Sequence, residues 1–160
     1  MSLIGFEHHN HASCIESAVA AAEGYCAENG LQFTPVRQRV LELLLAQHRA
    51  MGAYEILDVL REEGLGAQPP VAYRALDFLV RHGFAHRVEK LNAFTACAHP
   101  GETHSPVFLI CRACNTVAEA QAQGATGMLA SAARDSGFRV DRAVVEAEGV
   151  CARCREGHAG

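Results

Sequence analysis

The sequence predicts an α+β fold divided into two domains, and three observations support this. Apolar residues recur at helical spacing through the first half of the chain, as far as Gly83. The next stretch, from Phe84 to Cys97, changes to short strand-like runs around a turn. A turn-rich linker, "AHPGETHSP", then precedes a C-terminal segment that carries two Cys-x-x-Cys pairs. We therefore expect a helical N-terminal domain with a hairpin, followed by a small α/β domain.

Length and composition are those of a folded protein. The chain has 160 residues, of which 49% are hydrophobic, so a packed core is expected. No apolar run reaches the roughly 18 residues of a membrane span, and "MSLIGFEHHNHASC" lacks the features of an export signal. We expect a cytoplasmic protein. Seven cysteines are an odd number, which argues against a disulfide framework and favours metal or redox chemistry.

The net charge of −4 does not by itself indicate nucleic-acid binding. Its distribution is uneven, because residues 31–90 contain eight Lys or Arg and seven Asp or Glu, whereas residues 1–30 contain four glutamates and no Lys or Arg. The non-acidic middle of the N-terminal half is a weak indication of a polyanionic partner. Solvated charges on helix faces explain the same pattern equally well.

Four helices are predicted in the first half. The first covers "CIESAVAAAEGYCAENG" and ends at Gly30, where glycine is a typical stop. The second, "TPVRQRVLELLLAQH", has Thr34 as its N-cap and Pro35 at the first helical position. The third, "AYEILDVLREEG", ends at Gly64, and the fourth, "PPVAYRALDFLVRHG", ends at Gly83.

A hairpin follows these helices, with "FAHRVEK" and "AFTAC" as strands around Leu91 and Asn92. Helices followed by a small hairpin are typical of a winged helix-turn-helix domain, in which the last helix before the hairpin enters the DNA major groove. A small helical domain whose hairpin has no DNA role is the alternative. We assign residues 1–92 to this domain, with 1–12 as a disordered tail, and residues 93–105 to a hinge.

Residues 106–160 are assigned to the α/β domain. "PVFLIC" and "TVAEA" are predicted as strands, and "GATGMLASAARDSG" as a helix. "FRVDRAVVEAEGVC" is predicted as a strand or a pair of strands. The two Cys-x-x-Cys pairs bracket this unit.

The cysteine pairs predict a structural zinc site. A Cys-x-x-Cys turn directs two thiolates at one point, and two such turns supply the tetrahedral set that Zn²⁺ prefers. Four thiolates close the coordination shell, so no position remains for a substrate. A redox dithiol is the alternative, but neither pair begins a helix that follows a strand. The predicted ligands are Cys111, Cys114, Cys151 and Cys154.

Several stretches, in order and spacing, resemble the ferric uptake regulator family of bacterial metal-dependent repressors. They are "FTPVRQRVL", "AYEILDVLRE", "PPVAYRALDFLVRHGFAHRVEK", "ETHSPVFLICRACNTVAE" and "VVEAEGVCARC". The resemblance implies a winged-helix DNA-binding domain, a hinge and an α/β dimerisation domain. It also implies a homodimer that binds a palindromic operator when loaded with metal, and no enzymatic activity.

The resemblance further implies an exchangeable metal site near the hinge. By motif match, its ligands are His86, Cys97, His104 and Glu119. One thiolate, two imidazoles and one carboxylate suit tetrahedral Zn²⁺, whereas iron and manganese sensors prefer nitrogen and oxygen ligands. We therefore expect two zinc ions per chain, one structural and one regulatory, and repression of zinc-uptake genes.

For double-stranded DNA, the expected contacts combine base and backbone recognition. Arg74 is expected to reach guanine, and Arg37 a phosphate. Asp58 and Arg61, three residues apart on a helix, are expected to pair with each other. The full set of expected DNA contacts is Arg37, Tyr54, Tyr73, Arg74, Arg87 and Lys90.

The chain departs from the family pattern in places. Val71 stands where the family usually has a threonine before the Tyr-Arg pair. The His-x-His run of iron-type relatives is absent, so a third metal site is not expected, and the N-terminal "HHNHASC" is interpreted as a tail. Neither a membrane nor a small organic ligand is expected as a partner.

The alternatives are an iron, manganese or peroxide sensor of the same family, a dithiol oxidoreductase, and a zinc-stabilised interaction module.

Overall fold

The computed structural model describes residues 11–47, 49–98, 100, 106–120, 123–141 and 143–157. Four helices precede the first strand, and the remaining strands and helices follow in the C-terminal part, as the α+β prediction requires. Their order is α1 (His11–Glu28), α2 (Pro35–Leu45), α3 (Ala53–Glu62), α4 (Pro69–Arg81), β1 (Ala85–Val88), β2 (Ala93–Ala96), β3 (Val107–Cys111), β4 (Val117–Ala120), α5 (Gln123–Asp135), β5 (Val145–Gly149) and α6 (Ala152–Gly157).

The chain divides into two compact units. The first contains α1 to α4 and the β1–β2 hairpin, and the second contains β3 to α6. Strand β2 lies within the predicted strand "AFTAC", and it overlaps residues 93–105, which the sequence analysis assigned to the hinge. Helix α1 begins at His11, inside the range predicted as a tail, and residues 1–10 lie outside the described part of the chain.

The core of the first unit comes from the helical repeats seen in the sequence. Each of α2, α3 and α4 buries one apolar face against the others, as the period of 3.6 residues requires. The largest side chains of this core that are almost fully buried are Leu41, Leu44, Ile56, Leu57, Leu60, Leu76 and Leu79. The fourth helix is thereby held with its opposite face to solvent.

Thr34 begins α2 as the sequence predicted. Its backbone is extended, with φ −69° and ψ 159°, and its Oγ1 accepts a hydrogen bond from the Arg37 N–H at 3.3 Å. This bond satisfies one of the amide groups that a helix N-terminus leaves without an internal partner.

Replacing Thr34 with alanine is therefore expected to lower the free energy of unfolding by about 1 kcal/mol, because the capping oxygen is lost. Urea denaturation followed by circular dichroism measures this change. Thr34→Ser keeps the hydroxyl and is expected to stay close to the wild-type protein. Equal stability of Thr34→Ala and the wild-type protein would show that the cap does not contribute.

The hairpin follows α4 directly. Strands β1 and β2 are antiparallel, with Ala85 opposite Ala96 and His86 opposite Thr95. Asn92 closes the turn in the left-handed region, at φ 46°, a conformation that asparagine tolerates better than most residues. Two backbone hydrogen bonds of 2.8 Å join Phe94 to Met51, so the segment before α3 holds the hairpin in place.

The second unit contains a three-stranded sheet in the order β4-β3-β5. Strand β3 is antiparallel to β4 and parallel to β5, and α5 lies in the connection between β4 and β5. Of the strand or strand pair predicted after α5, the described residues form the single strand β5. The short helix α6 was not predicted, and it places the second Cys-x-x-Cys pair at the start of a helix that follows β5, contrary to the sequence argument against a redox dithiol. No helix among the described residues has the length and apolar character needed to cross a membrane.

Candidate metal centres and nucleic-acid interface

Sheet topology brings the two Cys-x-x-Cys pairs together in the second unit. Cys111 is the last residue of β3, and Cys114 lies in the turn that leads to β4. Cys151 follows β5, and Cys154 lies in α6. Because β3 and β5 are parallel, with Cys111 opposite Gly149, both pairs leave the sheet at the same edge.

The four sulfur atoms have the spacing of a tetrahedral metal site. All lie within 4.8 Å of one another, and the Sγ atoms of Cys114 and Cys151 are 3.9 Å apart. A disulfide would need about 2.05 Å, whereas zinc–sulfur bonds of about 2.3 Å place tetrahedral sulfurs about 3.8 Å apart. All four cysteines are free of disulfides. The donor set and its spacing fit Zn²⁺.

The close approach of the thiols shifts the pKa values of Cys111, Cys114 and Cys154. Hydrogen bonding with the Thr116 side chain lowers the pKa of Cys114 to about 6, and the backbone N–H of Cys151 lowers the pKa of Cys111. Hydrogen bonding with Cys151 and with the other thiols raises the pKa of Cys154 to about 12. Because thiolates this close repel one another, complete ionisation requires a bound cation, as metal coordination supplies.

Two ligands predicted for the exchangeable site meet in the first unit. His86 lies on β1 and Cys97 directly follows β2, and their ligand atoms lie within 4.8 Å of each other. The Cys97 N–H donates a 2.9 Å hydrogen bond to the Phe84 carbonyl, which fixes the end of the hairpin. Cys97 is 6% exposed, and the Nε2 atom of His86 is buried. Thiolate and imidazole together are a donor pair typical of zinc sites.

The other two predicted ligands belong to other parts of the chain. Glu119 lies on β4 in the second unit, opposite Phe108 on β3, and is only 5% exposed. Buried carboxylates in proteins are typically paired or coordinate metals. His104 lies outside the described residues.

Helix α4 presents a polar face to solvent. Tyr73 and Arg74 are exposed on it, while Ala72 and Leu76 are buried. Asp77 and Arg81 share this exposed face, although the sequence analysis did not select them. The sequence could have indicated them, because residues three and seven positions after Arg74 lie on the same side of a helix as Arg74.

Tyr54, one of the expected DNA contacts, occupies the first turn of α3 and is 63% exposed. Its ring is therefore accessible to a partner.

The turn between α3 and α4 sets where α4 begins. The Arg61 Nε donates a 2.9 Å hydrogen bond to the Ala67 carbonyl, and Arg61 also pairs with Asp58 at 3.6 Å, as its spacing predicted. A Cβ added to Gly66 would lie 2.6 Å from Cγ1 of Val71. Val71, which replaces the family's usual threonine, therefore packs directly against the turn backbone rather than serving as a hydroxyl donor.

The hairpin cations differ in their surroundings. The Arg87 guanidinium donates a 2.7 Å hydrogen bond to Oδ1 of Asn92 and lies 3.7 Å from the Glu89 carboxylate. A contact between Arg87 and the DNA backbone therefore requires Arg87 to exchange Asn92 and Glu89 for a phosphate. Lys90 is exposed in the turn.

Arg37 makes contacts within the first unit. It is half-buried, its guanidinium carbon lies 3.8 Å from the centroid of the Phe78 ring, and it donates a hydrogen bond to the Gln32 carbonyl. A phosphate contact by Arg37 would require exchange of these partners, so its contact with the DNA backbone stays a prediction.

A helical unit with a hairpin after its fourth helix, followed by an α/β unit with a four-cysteine site, defines a winged-helix protein with a metal-binding second unit. The sequence pattern of the ferric uptake regulator family matches residues 28–147. This chain belongs to that family, as the resemblance indicated.

Individual zinc uptake regulators are similar to this chain over most of its length. The zinc uptake regulation protein of Escherichia coli (strain K12) is 40% identical over 142 residues, which cover 88% of this chain and 83% of that protein. A solved zinc uptake regulator complexed with zinc and DNA has a TM-score of 0.87 at 39% identity, covering 91% of this chain and 98% of that one. The holo form of XcZur has a TM-score of 0.79 at 41% identity, covering 88% and 98%.

Proposed function

We propose that this chain is a zinc-responsive transcriptional repressor, which binds a palindromic operator as a zinc-loaded homodimer and represses zinc-uptake genes. The observation that carries the proposal is its similarity, at 39% identity over 91% of the chain, to a zinc uptake regulator complexed with zinc and DNA. The exposed face of α4, with Tyr73 and Arg74, supplies the kind of surface that such a regulator needs. A regulator of this kind acts in the cytoplasm, where the DNA is.

The proposed repressor binds two zinc ions per chain. The structural ion is held by Cys111, Cys114, Cys151 and Cys154, whose sulfur spacing supports this assignment. The regulatory ion is held by His86, Cys97, His104 and Glu119, and the convergence of His86 with Cys97 supports this second site. When bound, the structural ion neutralises the thiolates and joins the end of β3 to α6.

Zinc is favoured over iron and manganese by the ligand types. Cys97 contributes a soft thiolate, whereas hard divalent cations prefer oxygen and nitrogen ligands. Its low exposure also shields the thiolate from water and oxidants. Because the thiolate ligand favours zinc, an iron or manganese sensor of the same family is only the second candidate function.

A dithiol oxidoreductase is not supported. The four thiols form one cluster rather than a separate pair, and the known relatives are regulators by description and not enzymes. A zinc-stabilised interaction module without a DNA role is also not favoured, because it does not account for the exposed Tyr73 and Arg74.

Dimerisation is expected through the second unit. Several of its large apolar side chains are exposed, which is costly for an isolated unit and typical of a surface that another chain covers. These side chains are Met128, Leu129, Phe138 and Val140. Among the described residues, strand β5 has a sheet partner on one side only, so its other edge is also available for pairing.

The proposed switch follows from the origin of the regulatory ligands. His86 and Cys97 belong to the first unit, and Glu119 to the second. One ion bound by all of them would restrict the freedom of each unit relative to the other. Two recognition helices must present themselves at a fixed half-site spacing, so this restriction favours operator binding.

A metal titration tests the proposed function. DNA selected by the zinc-loaded protein from a randomised duplex pool serves as operator, with a scrambled duplex as control. Fluorescence anisotropy then follows binding against buffered free Zn²⁺, Fe²⁺ and Mn²⁺. We expect tightening on the operator at the lowest free concentration for Zn²⁺. Selection of no preferred sequence would contradict the proposal, and a response to Fe²⁺ or Mn²⁺ alone would favour the second candidate.

Arg74 is proposed to read a base, with Tyr73 and Tyr54 beside it and Arg87 and Lys90 on the DNA backbone. Arg74→Ala is expected to cost about 1–3 kcal/mol of operator binding and to relax preference at one position, because bidentate recognition of guanine is lost. Anisotropy on operators with single base-pair changes measures both effects.

Arg155→Ala is the control for Arg74→Ala, because it removes an exposed cation from α6 in the second unit. It is expected to leave base preference unchanged. A uniform loss across all operator variants for Arg74→Ala would contradict base recognition by this residue.

A further inference from the structure

We propose that Arg37 is a positioning residue for base recognition: it stacks on Phe78 and thereby fixes the direction of α4, instead of contacting DNA itself. This inference rests on the proposed function and concerns the residues that orient its recognition helix. The observation behind it is the 3.8 Å approach of the guanidinium carbon to the Phe78 ring centroid.

The Arg37 side chain connects three segments of the first unit. It arises from the first turn of α2, stacks on Phe78 in the second half of α4, and donates a hydrogen bond to the Gln32 carbonyl before α2. Phe78 is 9% exposed, so its ring faces inward. A planar guanidinium can stack face to face on the ring while its N–H groups donate in its own plane, whereas an ammonium group has no planar face to stack.

A second observation places the Arg37 charge close to α1. Burial raises the pKa of the Cys26 thiol on α1, and the positive charge of Arg37 lowers it in part.

Aromatic contacts continue from Phe78 around the C-terminal end of α4. The ring of Phe78 lies 4.6 Å from that of His82, and the Tyr25 hydroxyl lies 3.4 Å from Nδ1 of His82. Tyr25 meets Phe84 edge to face at 5.3 Å. This cluster joins α1, α4 and the start of the hairpin, and Arg37 adds α2 to it.

The cluster acts on recognition through α4. Phe78 is one helical turn beyond Arg74 on the same helix, about 6 Å along its axis. Hydrogen bonds to base edges require close alignment, whereas attraction to phosphates tolerates small displacements. Loosening the stack is therefore expected to weaken operator binding selectively and to leave the number of phosphate contacts unchanged.

Arg37→Lys provides the test, because it keeps the positive charge and removes the planar stack. Anisotropy measures zinc-loaded wild-type and variant proteins on the selected operator and on the scrambled duplex, over a range of salt concentrations. We expect operator affinity to fall about tenfold, as loss of one well-placed base contact would predict. Affinity for the scrambled duplex is expected to change by less than about twofold, and the salt slope to stay the same.

Arg39→Met is the matched control. Arg39 lies on the same helix, two residues on, and pairs with Glu63 at 2.7 Å and Glu42 at 3.2 Å. This variant removes a charge close to Arg37 without touching the aromatic cluster, and it is expected to keep the ratio of operator to scrambled-duplex affinity. A loss of this ratio as large as that of Arg37→Lys would overturn the proposal, because any nearby change would then act on recognition.

Two results overturn the proposal, one for each of two variants of Arg37. Wild-type behaviour of Arg37→Lys would mean that charge alone is sufficient. Equal weakening on both duplexes by Arg37→Met, with a salt slope smaller by about one unit, would identify Arg37 as a phosphate contact. If Arg37→Lys does not fold, Phe78→Leu removes the aromatic partner of the stack. The ratio of operator to scrambled-duplex affinity of that variant then decides whether the proposal holds. Failure of the proposed function itself is distinct, because wild-type protein would then bind both duplexes alike.

Discussion

Replacing Cys111 with serine is expected to unfold or monomerise the second unit. The four sulfurs lie within 4.8 Å of one another, at the end of β3 and around α6, so their ion connects segments that are far apart in sequence. Zinc bound at a closed site of this kind contributes about 10–16 kcal/mol in small zinc domains, most of which is folding free energy. This is as large as the total stability of a typical domain, about 5–15 kcal/mol.

Calorimetry and sedimentation of Cys111→Ser measure this effect, together with zinc content after gentle dialysis. Cys14→Ser is the control, because Cys14 is exposed on α1 and belongs to neither cluster. It is expected to melt as the wild-type protein does. A Cys111→Ser protein that remains a stable dimer with unchanged melting would show that the cysteine cluster has no structural role.

Replacing Cys97 with serine is expected to separate folding from regulation. Cys97 lies at the end of the hairpin, outside the four-cysteine cluster. The variant should therefore remain a folded dimer that retains its structural zinc. It should no longer tighten on operator DNA when zinc is added, because the thiolate ligand of the regulatory site is lost.

The size of the expected effect follows from the energy of a conformational switch. A shift from mostly inactive to mostly active chains requires roughly 5.5 kcal/mol of differential binding. Zinc cannot shift the equilibrium by more than its preference for the active form. We expect the loss of the Cys97 thiolate to lower the differential binding free energy of zinc below this requirement, so that operator binding no longer responds to zinc.

Zinc content and operator affinity of Cys97→Ser, each measured against buffered free zinc, test this prediction. One zinc per chain fewer than in the wild-type protein is expected. Cys14→Ser again serves as the control for loss of a thiol, and is expected to respond to zinc normally. Zinc-dependent operator binding by Cys97→Ser at the wild-type free zinc concentration would place the switch elsewhere.

The sequence by itself determined the local elements of this protein and the four-cysteine cluster. Thr34 and Pro35 define the start of α2, and the apolar period defines the buried faces of α2 to α4, because both depend on neighbours within a few residues. The two Cys-x-x-Cys motifs come together because each follows the end of a strand. The parallel pairing of β3 and β5 places these strand ends side by side. The regulatory ligands came from the resemblance to the family, and all four remain proposals.

Only the tertiary structure decided where the long cationic side chains point. Sequence placed Arg37 at a helix start, where a phosphate contact is reasonable, but the nearest aromatic ring comes from α4. Likewise, Arg87 meets Asn92 across the hairpin turn. A flexible side chain takes its direction from partners that folding brings close, and no local pattern encodes which partners those are.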